Sequence, residues 1–328
     1  MAQNGFSSWQ LGSFRLDTPW VLAPVAGFTH WPFQVICRRR GMRLTFTPMI
    51  CARALKYLSS RSATLKLLDW DDSCGPVAVQ LFGDDPQEMA QAARCVVERG
   101  AALVDINMGC TVPKILKKRA GSYLLREPEL ACRIVQAVLA AVDGPVTVKL
   151  RLGIKEGDGR GWALAQVLAD LGVAALFVHG RYAEQGFGGR ADVAEVGRWA
   201  RALPLPVVGN GDVLDYRQAE LWLEAGCAAV MVGRGLLGDP WLVGRLEQAR
   251  LHEEFPPIPS VKNVVATIAE HWELSRRYRG LSEGQMVQEF RSHLAQYCRK
   301  QRCLQPWREA LLSCRTEASL LGVLQDIV

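Results

Sequence analysis

Between residues 20 and 250, short β-rich runs alternate with longer amphipathic ones, and this alternation constrains the fold more than any other feature. The strand candidates are WVLAPVAG (20–27), LTFTPMI (44–50), PVAVQLFG (76–83), LVDINMGC (103–110), PVTVKLRLG (145–153), ALFVHGR (175–181), PVVGNGDV (206–213) and AVMVGRG (229–235). Each is nearly continuous in apolar residues, as a parallel strand buried on both faces must be. The runs between them are helical in pattern. DPQEMAQAARCVVERG and DYRQAELWLEAG each open on Asp, a good N-cap, and close on Gly, which terminates helices readily. Eight strands with helices between them predict an α/β fold, a (β/α)8 TIM barrel, and the length of the region agrees. A doubly wound open sheet fits less well: no G-x-G-x-x-G follows the first strand, and the units run evenly to eight. The expected organisation is an N-terminal extension over 1–19 that forms a hairpin lid on the barrel, a barrel over 20–255, and a further domain over 256–328.

Pro256, Pro257 and Pro259 mark a linker, and residues 260–328 read as helices only, a small all-helical C-terminal domain. Residues 260–315 hold ten Lys/Arg against five Glu, nearly the whole net charge of +6. Trp272, Tyr278, Phe290, Tyr297 and Trp307 are interleaved with them. Basic residues among aromatics suit a nucleic-acid surface; a solvated helical face with its aromatics in the core explains the composition equally well. The ten cysteines form no C-x-x-C pair, and several, such as Cys132, lie in apolar segments. They are expected to be reduced and buried. Cys298, Cys303 and Cys314 are spaced too irregularly to specify a metal, and none is expected. No apolar run approaches the roughly 18 residues of a membrane span, and the N-terminus has no basic start followed by an apolar core. A cytoplasmic monomer without membrane contact is expected.

Barrel chemistry sits at the C-terminal ends of the strands. Those ends supply Pro24-Val25-Ala26, Gln80, Asn107 with Cys110, Lys149 with Arg151, His179 with Arg181, Asn210-Gly211-Asp212 and Gly233-Arg234-Gly235. Polar groups at most strand ends point to a ligand in the barrel mouth. Glycine-flanked turns after strands 7 and 8 favour a phosphorylated ligand, because glycine lets backbone N–H groups approach phosphate closely and Arg234 adds charge. Lys149 inside an apolar strand either points outward, or pairs with a buried carboxylate, or meets an electron-rich partner such as a flavin ring. His179 either donates to a carbonyl oxygen or is a satisfied core histidine.

LAPVAGFT, VAVQLFG, DINMGC-x-VPK, RAGSYLL, VTVKLRLG, VHGR-x-x-EQGF-x-G-x-AD, VVGNGDV and VMVGRG occur in this order. In these motifs the chain resembles the tRNA-dihydrouridine synthase family, most closely its bacterial B-type branch, from about residue 20 to 315. The resemblance implies an FMN-bound barrel joined to a helical tRNA-binding domain. It implies a flavin-dependent oxidoreductase, with NADPH as reductant, that reduces the C5–C6 bond of a flipped-out uridine in tRNA. By position it implies Cys110 as the acid for C5, with Asn107, His179 and Arg181 at the substrate. Pro24, Val25, Ala26, Gln80, Lys149, His179, Asn210, Gly211, Asp212, Gly233 and Arg234 would hold FMN, and Arg276, Arg277 and Arg299 would hold RNA. The chain departs from the family pattern at four places. Val25 stands where Met is usual, His30 where Asp is common, Pro48 where the strand end reads Thr-Glu-Met, and Thr111 where Pro follows the cysteine. A paralogue acting on another RNA, an FMN oxidoreductase for a free small molecule and a non-catalytic flavin-fold RNA binder are the alternatives.

Overall fold

The computed structural model describes residues 8–57, 63–252, 256–277 and 282–328. Strands β1 (Trp9–Leu11) and β2 (Phe14–Leu16) form an antiparallel hairpin. The other strands are β3 (Trp20–Leu22), β4 (Thr45–Phe46), β5 (Ile50–Cys51), β6 (Val77–Phe82), β7 (Leu103–Met108), β8 (Val146–Arg151), β9 (Ala175–His179), β10 (Val207–Asn210) and β11 (Ala229–Val232). They lie parallel in the order β3-β11-β10-β9-β8-β7-β6-β4, and a Val21–Leu44 bridge closes the ring into a (β/α)8 barrel. Helices follow the strands around it; those at Pro86–Glu98 and Tyr216–Glu224 begin at the expected caps, with the Asp85 and Asp215 carboxylates accepting from backbone N–H groups.

The second strand is not continuous. It breaks at Thr47-Pro48-Met49, and both pieces pair with β6. Proline has no N–H to give to a ladder, so pairing stops and resumes beyond it. Several other strands also end earlier than expected, and their polar tips are loop rather than ladder.

Alternation along the strands sends Phe46, Ala78, Phe177, Val208 and Met231 inward, with Phe46 and Phe177 edge to face at 5.0 Å. The β1–β2 hairpin joins this inner cluster through Trp9, Leu11 and Leu16. A Cβ at Gly12 would lie 2.4 Å from Pro145, which precedes β8. The hairpin therefore caps the floor of the barrel, the end opposite the mouth.

The C-terminal helices Val261–Arg276, Glu283–Lys300, Arg308–Ser313 and Glu317–Asp326 gather round their own core. Trp272, Phe290 and Tyr297 are buried in it, and Trp307 packs against it. Of the two readings of these aromatics, the structure shows the packed one for Trp272, Phe290, Tyr297 and the half-buried Trp307; Tyr278 lies outside the described residues. Cys298, Cys303 and Cys314 pack there too, as free thiols. Among the described residues no cluster could hold a metal, and no helix is long and apolar enough to cross a membrane.

This helical layer packs on the barrel beside its first and last units. Glu270 pairs with Arg39 and Arg40, and the Gln301 side chain donates to the Gly238 carbonyl at 2.8 Å. Three histidines meet at the seam. His271 and His293 lie 4.4 Å apart, both against Phe33, and His30 is close enough to affect both electrostatically. Burial holds His30 down to about 4 and His293 to about 3, so both are neutral near pH 7.

Candidate active site

A cavity of about 710 Å³ opens at the C-terminal ends of the strands, within the size range of small-molecule and cofactor sites. The strand-end residues that meet in it are Pro24, Val25, Ala26, Gln80, Asn107, Cys110, Lys149, His179, Asn210, Gly211, Asp212, Gly233 and Arg234. Arg299, from the helical layer, lines it as well, with Lys300 beside it.

A chain of hydrogen bonds crosses three neighbouring strands to reach the cysteine. Register places Gln80 beside Asp105 and Asp105 beside Thr147. The Thr147 hydroxyl donates to Asp105 Oδ1 at 2.7 Å, and Gln80 Nε2 donates to Asp105 Oδ2 at 2.7 Å. Asn107 Nδ2 donates to Gln80 Oε1 at 2.7 Å. Asn107 Oδ1 then accepts from the backbone N–H groups of Gly109 (3.1 Å) and Cys110 (2.9 Å). Asn107 therefore sets the turn that carries the thiol, and its other N–H contact is the Met49 sulfur at 3.8 Å. Burial lifts Asp105 to about 7, against the pull of its two donors and Lys149. The Cys110 thiol is also raised by burial, although Arg151 and Lys149 draw it down, so it is protonated at neutral pH.

On β8, in register beside Asn107, Lys149 Nζ donates to Asn210 Oδ1 at 2.9 Å, and Asn210 Nδ2 donates to the Met231 carbonyl at 2.7 Å. Burial pushes Lys149 down to about 8, so it is mostly charged at pH 7. The Gly211, Gly233, Arg234 and Gly235 N–H groups donate no hydrogen bond among the described residues. A side chain at Gly211, where φ is +138°, would come within 2.6 Å of Ala191 Cβ. Open backbone donors, close approach and Arg234 alongside fit a phosphate, and a buried lysine between that cradle and the thiol fits an electron-rich ring.

Arg181 is not at the cavity surface. It is buried, holding both Asp212 oxygens (2.9 and 2.7 Å) and the carbonyls of Gly188 and Gly189. Its Nη1 lies 3.3 Å from His179 Nε2. Arginine can only donate, so His179 accepts at Nε2 and carries its proton on Nδ1. Burial and four surrounding cations keep that ring neutral. Arg276 and Arg277 are also away from the mouth, paired with Glu273, and Arg276 also with Glu317. Of the four departures, Val25 and Thr111 line the cavity, whereas the buried Pro48 and the seam residue His30 do not.

Three contributors sit inside the motifs, Asp105 in DINMGC, Thr147 in VTVKLRLG and Phe187 in EQGF, without a strand-end position to mark them. Asp105 and Thr147 anchor the relay; their only mark is a carboxylate inside an apolar strand and period-2 alternation from Lys149. Phe187 lines the mouth although 63% exposed, with the Arg234 guanidinium 4.7 Å above its ring. Only its place in a glycine-rich loop hints at it.

Fold and site together define a barrel protein with open backbone N–H groups and a protonated thiol facing one cavity. The sequence profile of the dihydrouridine synthase (Dus) family matches residues 21–328. A tRNA-dihydrouridine synthase B of Xanthomonas axonopodis pv. citri is 35% identical over 318 residues, 97% of this chain and 95% of that protein. A probable tRNA-dihydrouridine synthase 1 of Synechocystis is 38% identical over 292 residues, 88% of this chain and 81% of its own length. The chain belongs to the dihydrouridine synthase family. Morphinone reductase in complex with tetrahydroNAD (TM-score 0.54, 15% identity, 79% of this chain and 93% of that one) shares the barrel fold. So does the old yellow enzyme homologue of Zymomonas mobilis (TM-score 0.56, 15% identity, 78% and 94%).

Proposed function

We propose that this chain reduces the C5–C6 bond of uridine in tRNA, with FMN in the barrel mouth and NADPH as reductant. The observation that carries this reading is the placement of Cys110: a protonated thiol just beyond β7, its turn fixed by Asn107, beside Lys149 on β8 and across the cavity from the open N–H groups that follow β10 and β11.

Gly211, Gly233, Arg234 and Gly235 would hold the phosphate of FMN, and Lys149, kept in place by Asn210, would stand at its ring. Reduced by NADPH, the flavin would supply the hydride for C6. Cys110 gives its proton to C5, a step that needs the thiol rather than the thiolate, which burial favours. His179 offers its Nδ1–H to a carbonyl of the base, and Asn107 meets the base with the N–H that now faces Met49. Arg181 positions His179 and Asp212 from behind. The barrel, 20–255, carries the chemistry, and the helical domain, 256–328, holds RNA through Arg299 and Lys300 at the mouth. A base reaches this cavity only outside its stack, so RNA must be held while one nucleotide is extruded.

The test is flavin content and product. Purified protein should carry flavin absorbance or regain it with FMN, and should form dihydrouridine in unmodified tRNA with NADPH. Protein that never binds FMN defeats the reading. Protein that binds FMN and reduces a free small molecule but not tRNA supports the small-molecule alternative.

A further inference from the structure

The loop after the cysteine carries charge that the proposed reaction does not use. Residues 111–126 contain Lys114, Lys117, Lys118, Arg119 and Arg126 and no carboxylate. All five side chains are exposed, and none forms an ion pair among the described residues. Five like charges in so short a stretch repel one another, and an ordinary solvated face mixes the signs.

Two further observations bear on what this face meets. The loop is fixed to the thiol's own residue. The Ser122 N–H donates to the Cys110 carbonyl at 2.9 Å, and Gly121, at φ +66°, lies so close that a Cβ would fall 2.6 Å from that oxygen. Beneath the loop lies a second cleft of about 220 Å³, walled by Leu116, Tyr123, Arg126 and Ile154. Thr111 lines both this cleft and the main cavity, so it stands on the ridge between them. In the ring of strands, β7 lies across from β11, whose end faces the helical layer.

We propose that residues 111–126 form a second RNA-holding surface, opposite the helical domain. Its cations take the phosphates flanking the reduced uridine, and the cleft below Thr111 receives the neighbouring base against Tyr123. The proposal rests on the tRNA reading and adds where the strand is gripped. A polyanion answers charge that no carboxylate pairs, although Arg119 lies 5.8 Å over the Tyr123 ring and Lys118 Nζ is 3.9 Å from the Cys51 sulfur, and the tie to Cys110 fixes the distance between grip and acid. A cleft one ridge away, with Leu116, Tyr123, Ile154 and Ala183 among its walls and Arg126 and Glu184 as its charged lining, is where the next base lands when a single nucleotide enters the cavity. Tyrosine is a stacking platform that tolerates any base.

The test compares wild-type holoprotein with a variant carrying Lys114→Gln, Lys117→Gln, Arg119→Gln and Arg126→Gln, and separately with Tyr123→Ala. The readouts are Kd for unmodified tRNA across a salt series, kcat and KM for dihydrouridine formation, and FMN reduction by NADPH without RNA. The four-site variant should weaken tRNA binding at least about tenfold at low salt and flatten the log Kd–log salt slope by about 3. Tyr123→Ala should raise KM for tRNA several-fold while leaving the salt slope alone. Both should keep FMN content and the RNA-free reduction rate. If wild type binds and reduces tRNA and the four-site variant keeps its Kd and slope, the loop proposal is overturned. If wild type neither binds nor reduces tRNA, the tRNA reading itself fails. Should the four-site variant fold poorly, Lys117→Glu alone decides the same question through the salt slope.

Discussion

Residues 111–126 and residues 260–315 each carry five more cations than carboxylates, but the first does so in sixteen residues and the second across three helices. In the longer stretch, Glu270 is bound to the barrel's Arg39 and Arg40, while Arg276 and Arg277 share Glu273. Trp272, Phe290 and Tyr297 are core, and the cations that reach the barrel mouth are Arg299 and Lys300. In the shorter stretch the cations have no carboxylate partner among the described residues, and the loop that carries them is hydrogen-bonded to Cys110. The contrast teaches that an excess of charge locates nothing. What matters is whether each cation already has a partner and which opening it faces, and neither shows in composition.

Four results would break or sharpen this contrast. The largest belongs to the mouth: Cys110→Ala should retain FMN and tRNA affinity and lose dihydrouridine formation by about 10²- to 10⁴-fold, measured in single turnovers. Normal turnover would remove the acid from that side. Next comes the seam of the helical layer. His30 and His293 have folded values of about 4 and 3 against 6.5 when unfolded, and His271 is also well below 6.5. The unfolded chain therefore binds more protons, and stability that is complete above pH 6.5 is lost as pH falls through these lower values. Denaturation midpoints should drop by a few kcal/mol equivalent between pH 7 and pH 5, at up to about 1.4 kcal/mol per unit per histidine. His293→Gln should flatten that slope, and an unchanged slope would shift the cause elsewhere. Third, Asp105→Asn turns an amide N–H toward Thr147 or Gln80, and urea unfolding should show a loss of about 1–3 kcal/mol. The smallest effects belong to the tail itself. Arg299→Gln should weaken tRNA binding severalfold, while Arg276→Gln with Arg277→Gln should change it by less than about twofold. The reverse ranking would return the grip to the far end of the helices.

Much of the architecture is legible in the sequence because it rests on local signals. Buried parallel strands must be apolar, and Asp85 and Asp215 announce helix starts by the bond they make. The mouth residues follow from strand ends alone. The relay from Thr147 to Cys110 does not, since it depends on register between strands far apart in sequence, and only pairing puts Gln80, Asp105 and Thr147 in one row. Arg181 departs from expectation for a related reason. Its strand-end position is right, but Asp212 and two glycine carbonyls turn it away from the cavity. Pro48 reads in sequence as a lost carboxylate at the mouth, yet its place is inside, where the strand breaks.

The capped floor has a consequence for timing. With Phe46, Phe177 and Met231 filling the interior and the β1–β2 hairpin sealed beneath them, whatever visits the cavity must enter and leave by the same door. Were the proposed NADPH and RNA to use that one door, turnover would become turn-taking: one visitor would leave before the next entered, and steady-state plots at several fixed concentrations would run parallel.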